Sequence, residues 1–279
     1  MKTIVAAISI EDKFSNHSNR YKYRSKILID TTLKFTNFDI LLVTNDKSYY
    51  EEYNDNPRVF IEDFREHYPD DKLVVCSQFN YNLKRCPIRL ASKKDYDYII
   101  YKDCDCFFSG MDEQAYKEML DEGYDIYYAT FYPHHTVNDQ ISKPWNHPNT
   151  ESRVIAMGDL VNEDLKEAVL AVETKIVYKN TDKMQVMLDR WDAFSYKCEE
   201  KNCPTIPESL YFCMAGRHAK MEPIGVSRQS KLANYFQTMH GCHVERMHGE
   251  ENPVKILDYF GLLQYRLPSE EALRDKLGI

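Results

Sequence analysis

Two acidic residues, Asp103 and Asp105, come directly after a short apolar run and are the side chains of this chain best suited to chemistry. The run, Tyr98-Ile99-Ile100-Tyr101, is rich in β-branched and aromatic residues, which predicts a buried strand of an α/β sheet. Because successive strand side chains alternate, the two carboxylates are predicted to share one face. Neighbouring carboxylates repel each other unless a cation is close, so the pattern predicts a site for a divalent ion that substrate phosphates complete.

A structural explanation of the same pattern stays open at this point. Strands commonly end in solvated turns that are rich in aspartate, and such turns need no ligand. The metal site is the favoured interpretation because open α/β sheets bind their ligands beyond the carboxyl ends of the strands.

Composition indicates an ordinary globular protein of 279 residues, of which 43% are hydrophobic and 29% charged. This length suits one large α/β domain or two small ones. The formal net charge of -8 argues against a dominant polyanion-binding surface.

The sequence predicts a cytoplasmic protein without a membrane span. No stretch approaches the roughly 20 apolar residues that a spanning helix needs. The apolar run at residues 3–10 is too short for a signal peptide and is followed at once by Glu11, so it is predicted to be the first strand. The eight cysteines lack CxxC spacing, which predicts reduced, buried thiols. A disulfide or zinc site at Cys198 and Cys203 is disfavoured for the same reason.

Further elements follow from periodicity and from turn residues, and their alternation predicts parallel βαβ units. Besides the run before Asp103, strands are predicted at residues 3–10, 39–46, 58–61, 125–131 and 174–179. Helices are predicted over residues 111–120, 163–172, 181–196 and 208–215, with helical stretches at 27–35 and after Pro87. The segment 132–152, rich in His, Pro and Asn, is predicted to be a functional loop or lid.

The order of these features resembles that of the GT-A type glycosyltransferases, which have a first strand near the start, a basic segment, a tyrosine-rich strand and a terminal Asp-x-Asp. In that superfamily the DxD motif binds manganese or magnesium and, through the metal, a nucleotide-sugar diphosphate. In topology the resemblance covers residues 1–250. The sequence motifs themselves match closely only from Asn82 to Phe108. Cys104 is an unusual residue between the two aspartates.

The resemblance implies an α/β fold, a single GT-A-like (Rossmann-like) domain with a mixed, mostly parallel central sheet flanked by helices. Residues 1–108 would form the nucleotide-sugar-binding half, residues 109–250 the acceptor-binding half, and residues 251–279 a C-terminal tail.

The resemblance also implies roles for the residues around the motif. Asp103 would face the ribose or the metal, and Asp105 would bind the metal directly. Arg89 is the first choice for a cation that stabilises the diphosphate, with Lys84 and Arg85 as second choices. The alternative for all three residues is that they form a solvated basic face that binds no ligand.

The nucleotide base is expected over the end of the first strand, at Ala7, Ile8 and Ser9. Tyr21 (or Tyr23) is the candidate to stack on it.

Glu208 resembles an acidic residue that some members use near the acceptor or the donor sugar. It would act as general base in an inverting enzyme and as an orienting group in a retaining one. A plain glutamate at a helix start is the alternative. In many members a histidine near the C-terminal end of the domain is a third metal ligand. The candidates for that ligand in this sequence are His240, His243 and His248.

The expected function is therefore transfer of a sugar from a nucleotide-diphosphate donor, UDP-sugar foremost, to an acceptor hydroxyl. The acceptor is not decided by the sequence and is a glycan, a small molecule or a hydroxymethylated base in phage DNA. If it is DNA, the basic cluster of residues 20–26 and the basic residues around Arg217 would contact successive phosphates of the DNA backbone. A haloacid-dehalogenase-like phosphatase is an alternative, although its motif usually lies near the start of the chain. A non-enzymatic module that binds metal or nucleotide is the third.

Overall fold

The computed structural model describes most of the first 240 residues. It covers residues 1–10, 20–69, 83–104, 106–130, 135–142, 150–171, 175–199, 208–221, 225–228 and 236–240. Asp105, His243, His248 and the predicted tail 251–279 lie outside the described residues. For Tyr21, Glu208 and His240 the description extends to the backbone only.

A mixed sheet forms the centre of the fold. Its strands are β1 Thr3–Ser9, β2 Asp39–Thr44, β3 Val59–Asp63, β4 Tyr98–Lys102, β6 Ile126–Thr130, β7 Lys175–Lys179 and β8 Gly225–Arg228. The order is β3-β2-β1-β4-β7-β6, with β8 added beside β6. Within the described sheet β7 alone runs against its neighbours. The predicted α/β fold with a mixed, mostly parallel sheet is confirmed.

Helices flank the sheet on both faces. They are α1 Arg20–Phe35, α2 Phe64–His67, α3 Arg85–Ser92, α4 Glu113–Asp121, α5 Val137–Ile141, α6 Thr150–Val161, α7 Asp182–Glu199 and α8 Glu208–His218, with a 3₁₀ helix at Lys47–Tyr53. Apolar residues of α1 and α4 form one core cluster with the sheet, and those of α3, α7 and α8 form the other.

The central strands form where the sequence has continuous apolar runs, because a parallel sheet covered on both faces buries every side chain. Ile4 through Ala7 in β1 are fully buried. Ile4 and Ala6 point into the cluster that contains α3, whereas Val5 and Ala7 point into the cluster that contains α1.

The direction of chain progression across the sheet reverses at β1. Strands β2 and β3 lie on one side of β1, and β4 lies on its other side, parallel to it. A reversal of this kind opens a crevice outside the carboxyl ends of the two strands, which is where open α/β sheets bind ligands.

Strand β4 ends at Lys102, before both acidic residues. The backbone N–H of Cys106 donates to the carbonyl of Asp103 at 2.9 Å, which closes a turn into β5 (Cys106–Met111). Strand β4 therefore ends before Asp103, and the prediction that the two carboxylates share one face concerns Asp105, which lies outside the described residues. Strand β5, which the sequence did not predict, pairs antiparallel with β9 (Phe236–His240) in a second, two-stranded sheet.

The predicted helix over residues 163–172 is wrong. Helix α6 occupies residues 150–161 instead, and Asn162 ends it with φ 54°. The N–H of Glu163 then donates to the carbonyl of Gly158 at 3.0 Å, a bond that closes helix C-termini of this type. Asparagine tolerates the left-handed conformation that stops the helix.

The segment 132–152 is not a continuous loop. Within it the structure describes α5, which begins at a capping box in which Thr136 and Asp139 bond each other's backbone N–H groups. Helix α6 begins at Thr150. The remaining residues of the predicted lid, 132–134 and 143–149, lie outside the described residues.

No helix in the described part of the chain is long and apolar enough to cross a bilayer. The sheet takes strands from both of the predicted halves, and the predicted boundary at residue 108 falls inside β5.

Candidate functional site

The strand reversal lies between the carboxyl ends of β1 and β4, with the end of β2 on the other side of β1. Ser9 pairs in register with Thr44, and Ala6 pairs with Tyr101. Continuing the second register by two residues places Asp103 level with Ile8. The first acidic residue of the motif thus lies just beyond the carboxyl end of β4, beside the strand reversal.

Asp103 forms a compact polar group with Lys84 and Tyr101. The Nζ atom of Lys84 lies 3.0 Å from Oδ1 of Asp103, and the Tyr101 hydroxyl donates to the same oxygen at 2.9 Å. The Lys84 side chain is 11% exposed and that of Asp103 19%. The Lys84 ammonium also lies 5.6 Å from the centroid of the Tyr101 ring. Tyr101 and Asp103 are two residues apart in the sequence, whereas Lys84 comes from the residue immediately before α3.

Within this group Asp103 is the one side chain of the kind that binds a hard divalent ion. Carboxylate oxygen is the ligand type that magnesium and manganese prefer. In this structure the Lys84 ammonium supplies the positive charge beside Asp103. Among the described residues there is no group of three or more His, Cys, Asp and Glu side chains arranged to hold a metal. Asp105, the second carboxylate of the predicted set, lies outside that description.

Arg89, the first-choice cation, contacts a different part of the molecule. Its guanidinium bonds Asp189 at 2.8 Å and Asp192 at 2.7 Å, both on α7. Arg85 contacts Asp192 as well. Because Arg85 and Arg89 are four residues apart, they lie on one face of α3. Lys84, a second-choice cation, is the one that meets Asp103. That Arg89 binds the donor stays a prediction.

The residues at the end of β1 lie in two different environments, one on each face of the sheet. Ala7 and Ser9 are fully buried on the face covered by α1. The Tyr50 hydroxyl donates to Ser9 Oγ at 3.3 Å and shares a 2.7 Å hydrogen bond with Ser25 of α1. Ile8 is partly buried and packs on the other face, in the cluster that contains Tyr101. Any contact of Ala7 and Ser9 with a nucleotide would therefore use their backbone.

A second ion pair lies beside the carboxyl end of β2, and the sequence did not single it out. Lys22 Nζ lies 2.5 Å from Oδ2 of Asp46, and the Ser48 hydroxyl donates to Oδ1 at 2.7 Å. The hydrogen bond from Lys22 is the main cause that holds the pKa of the Asp46 carboxyl below its usual value. Lys26 is paired in the same way with Glu52.

Strand pairing places the backbone of His240 next to the acidic motif. His240 is the last residue of β9 and is the register partner of Cys106, the residue that follows Asp105. Glu208 is the first residue of α8, and Tyr21 the second of α1.

Lys102 is a further charged residue at this edge that the sequence did not single out. It is the last residue of β4, is 1% exposed, and places Nζ 4.2 Å from the centroid of the Phe108 ring. A lysine at the end of an apolar strand is the signal that would have found it.

Comparison of the chain with known protein families and with curated proteins found no match.

Proposed function

We propose that this protein is a metal-dependent glycosyltransferase that moves a sugar from a nucleotide-diphosphate donor, UDP-sugar foremost, to an acceptor hydroxyl. The observation that carries the proposal is the position of Asp103, at the carboxyl end of β4 beside the strand reversal, with the Lys84 ammonium 3.0 Å away. This position combines a carboxylate for a metal, a cation for phosphate, and the crevice in which α/β sheets bind nucleotides.

The reaction explains why both charges are needed. The bond between the anomeric carbon and the diphosphate oxygen breaks, and its electron pair leaves with the diphosphate. The acceptor oxygen forms the new bond and gives up its proton. A divalent ion held by Asp103, Asp105 and His240 or His248 supplies Lewis-acid stabilisation to the leaving diphosphate when it is bound.

The chain's own residues prepare the site for that charge. Lys84, partly shielded from water, would stabilise the negative charge that grows on the diphosphate. The Tyr101 hydroxyl fixes the orientation of the Asp103 carboxylate. We propose that Asp103, which bonds Lys84 and Tyr101, faces the ribose or the metal, and that Asp105 binds the metal directly.

His240 is the preferred histidine ligand, since its register partner Cys106 directly follows Asp105. Glu208 keeps its proposed role at the acceptor: it would take the hydroxyl proton in an inverting reaction or orient the sugar in a retaining one. Tyr21 and the backbone of Ala7, Ile8 and Ser9 are proposed to hold the nucleotide.

The ion pairs of the basic residues favour a glycan or small molecule as acceptor over DNA. Lys22 is paired with Asp46, Lys26 with Glu52, and Arg217 lies 4.0 Å from Glu163. Cations that already have carboxylate partners contribute less to phosphate binding, and the net charge of -8 works in the same direction.

A panel of nucleotide sugars tests the proposal. Purified protein is incubated with each donor and manganese, and the release of nucleoside diphosphate is measured; a parallel thermal-shift series contains UDP with and without manganese. We expect hydrolysis of one donor class and stabilisation by UDP that depends on the metal. Hydrolysis of a generic phosphate ester, together with no response to any nucleoside diphosphate, would instead indicate the phosphatase. Binding without any turnover would indicate the non-enzymatic module.

A further inference from the structure

A cleft lies at the end of the central sheet that is opposite to Asp103. It is bordered by the first residues of β1 and β2 and by the chain that leads into β4, and its volume is about 740 Å³. Because β1 is seven residues long, the cleft is roughly 20 Å from the carboxyl ends of the strands. Its volume lies within the range of pockets that bind small ligands.

Aromatic rings supply much of the apolar surface of this cleft. Phe60 and Tyr96 line it and are partly buried. Phe38 and Tyr116, which are almost fully buried, also line it and meet edge to face with their ring centroids 5.3 Å apart. Flat apolar rings next to polar atoms suit a ligand that has both apolar and polar faces.

Planar polar side chains lie beside these rings. The Asn37 amide donates to the Glu113 carboxylate, a bond that joins the turn before β2 to the first turn of α4. The Tyr96 hydroxyl donates to Asp39 at 2.5 Å and thereby orients that carboxylate. A carboxylate accepts up to about four hydrogen bonds, and an amide both donates and accepts, so these groups keep capacity to bond a ligand.

The charges around the cleft are balanced. Its lining includes three basic and three acidic side chains, namely Lys2, Lys94, Lys117, Asp39, Asp95 and Glu113. Lys2 is paired with Asp95 at 2.5 Å, and Lys94 with Glu62 at 3.4 Å. A polyanion would need an excess of basic residues, a polyamine an excess of acidic ones, and a zwitterion would have to compete with the existing pairs. The balance therefore favours an uncharged ligand.

A neutral oligosaccharide has the chemistry that matches these features. It carries no charge, its hydroxyl groups both donate and accept hydrogen bonds, and the C–H groups of a sugar ring form an apolar face that can pack on an aromatic ring. We propose that the cleft at the amino ends of β1 and β2 binds a neutral oligosaccharide. This inference goes beyond the proposed function and does not rest on it, because such binding needs no sugar transfer.

Saturation-transfer difference NMR tests the inference, since it detects weak binding. The full chain is mixed in turn with maltotetraose, cellotetraose, laminaritetraose, mannotetraose and chitotetraose, and with a heparin tetrasaccharide as the charged comparison. Each measurement is repeated with UDP present. We expect a transfer signal from at least one neutral member and none from the heparin fragment. UDP should leave the signal unchanged, because its proposed site lies at the other end of the sheet.

The double variant Asn37→Ala, Glu113→Ala locates the binding site. Both residues are exposed, so the variant should fold, and it removes two groups that can bond the ligand. The dissociation constant of the responding oligosaccharide should rise at least about ten-fold, as expected when a hydrogen bond to a charged group is lost. Glu118→Ala is the matched control. Glu118 is exposed on the same helix and bonds Gln114 at 2.9 Å, but it does not line the cleft, so its loss should leave the affinity unchanged.

The outcomes separate the inference from the proposed function. Absence of a signal from every neutral member overturns the inference on the wild-type protein alone. A signal from the heparin fragment alone, a signal that UDP abolishes, or an affinity that the double variant leaves unchanged also overturns it. Binding of a neutral oligosaccharide that the double variant weakens and Glu118→Ala does not weaken supports it. Because none of these measurements needs turnover, a failure to hydrolyse any donor would contradict the proposed function and leave this inference standing.

Discussion

The guanidinium of Arg89 bonds the carboxylate of Asp192, with Nη2 2.7 Å from Oδ2, and thereby ties α3 to α7. Arg85 contacts the other oxygen of the same carboxylate. Since α3 begins directly after Lys84, this bond sets the position of the lysine that meets Asp103. The contact between α3 and α7 thus helps to hold Lys84 beside Asp103 in the candidate site.

Asp192→Asn should destabilise the protein by about 2 kcal/mol, because it removes the carboxylate that the buried Arg85 and Arg89 both contact. The value lies below that of a fully buried pair since Asp192 is 26% exposed. Urea unfolding measures the change in the free energy of unfolding.

Asp189→Asn is the matched control for this substitution. Asp189 bonds Arg89 from a side chain that is 72% exposed, so its loss should cost less than about 0.5 kcal/mol. Equal losses in both variants would contradict the assignment of Asp192 as the shared anchor.

Gly158→Ala should also destabilise the protein, by about 1 to 3 kcal/mol. A Cβ atom at this position would lie 2.6 Å from the backbone carbonyl oxygen of Glu163, which folds back over the end of α6. Backbone cannot move aside as a flexible side chain can.

Gly216→Ala provides the comparison within α8. Its Cβ would meet no atom closer than 3.7 Å, the Cδ1 of Ile126, and alanine favours the helix by up to about 1 kcal/mol. Thermal unfolding should therefore show a lower melting temperature for Gly158→Ala and an unchanged or higher one for Gly216→Ala. The reverse order would show that the end of α6 is placed wrongly.

Acid should remove the stabilisation that the Lys22–Asp46 pair provides. The Lys22 hydrogen bond lowers the pKa of folded Asp46, so the unfolded chain takes up a proton first as the pH falls. The contribution is complete above the unfolded pKa, about 3.9 for aspartate, and is lost as the pH falls through the lower folded value.

The melting temperature of wild type should exceed that of Asp46→Asn at pH 7, and the difference should vanish as the pH approaches 2. Asp55→Asn, which removes an exposed carboxylate from the same region, controls for the change in net charge. A difference that is constant across this pH range would show that the pair contributes no stability through its charge.

Much of the sheet was predictable because buried parallel strands leave continuous apolar runs in the sequence. The strands β1, β2 and β4 were all predicted from such runs. Strand β5 was not, since its partner β9 lies far along the chain and its residues follow the acidic motif without a break. The end of α6 at Asn162 was missed as well, because the bond that closes it depends on the backbone of Gly158.

The candidate site was predictable only in part. Asp103 was found because its residue type and its place after a strand are local properties. To choose among Lys84, Arg85 and Arg89, one would need to know which face of α3 each residue occupies. The carboxylates of α7 determine this, because Asp192 bonds Arg85 and Arg89, whereas Lys84 pairs with Asp103. No local pattern contains that information, since these partners are about a hundred residues apart.

The activity of Asp105→Ala tests the central claim most directly. Release of nucleoside diphosphate from the best donor is measured with manganese, for wild type and for the variant, with excess chelator as a second condition. A carboxylate that holds the metal is required for turnover, so the variant and the chelated wild type should both lose activity by at least about 100-fold, while the melting temperature of the metal-free variant stays close to that of metal-free wild type. Full activity in Asp105→Ala, or in wild type with excess chelator, would contradict a metal-dependent sugar transfer at this site.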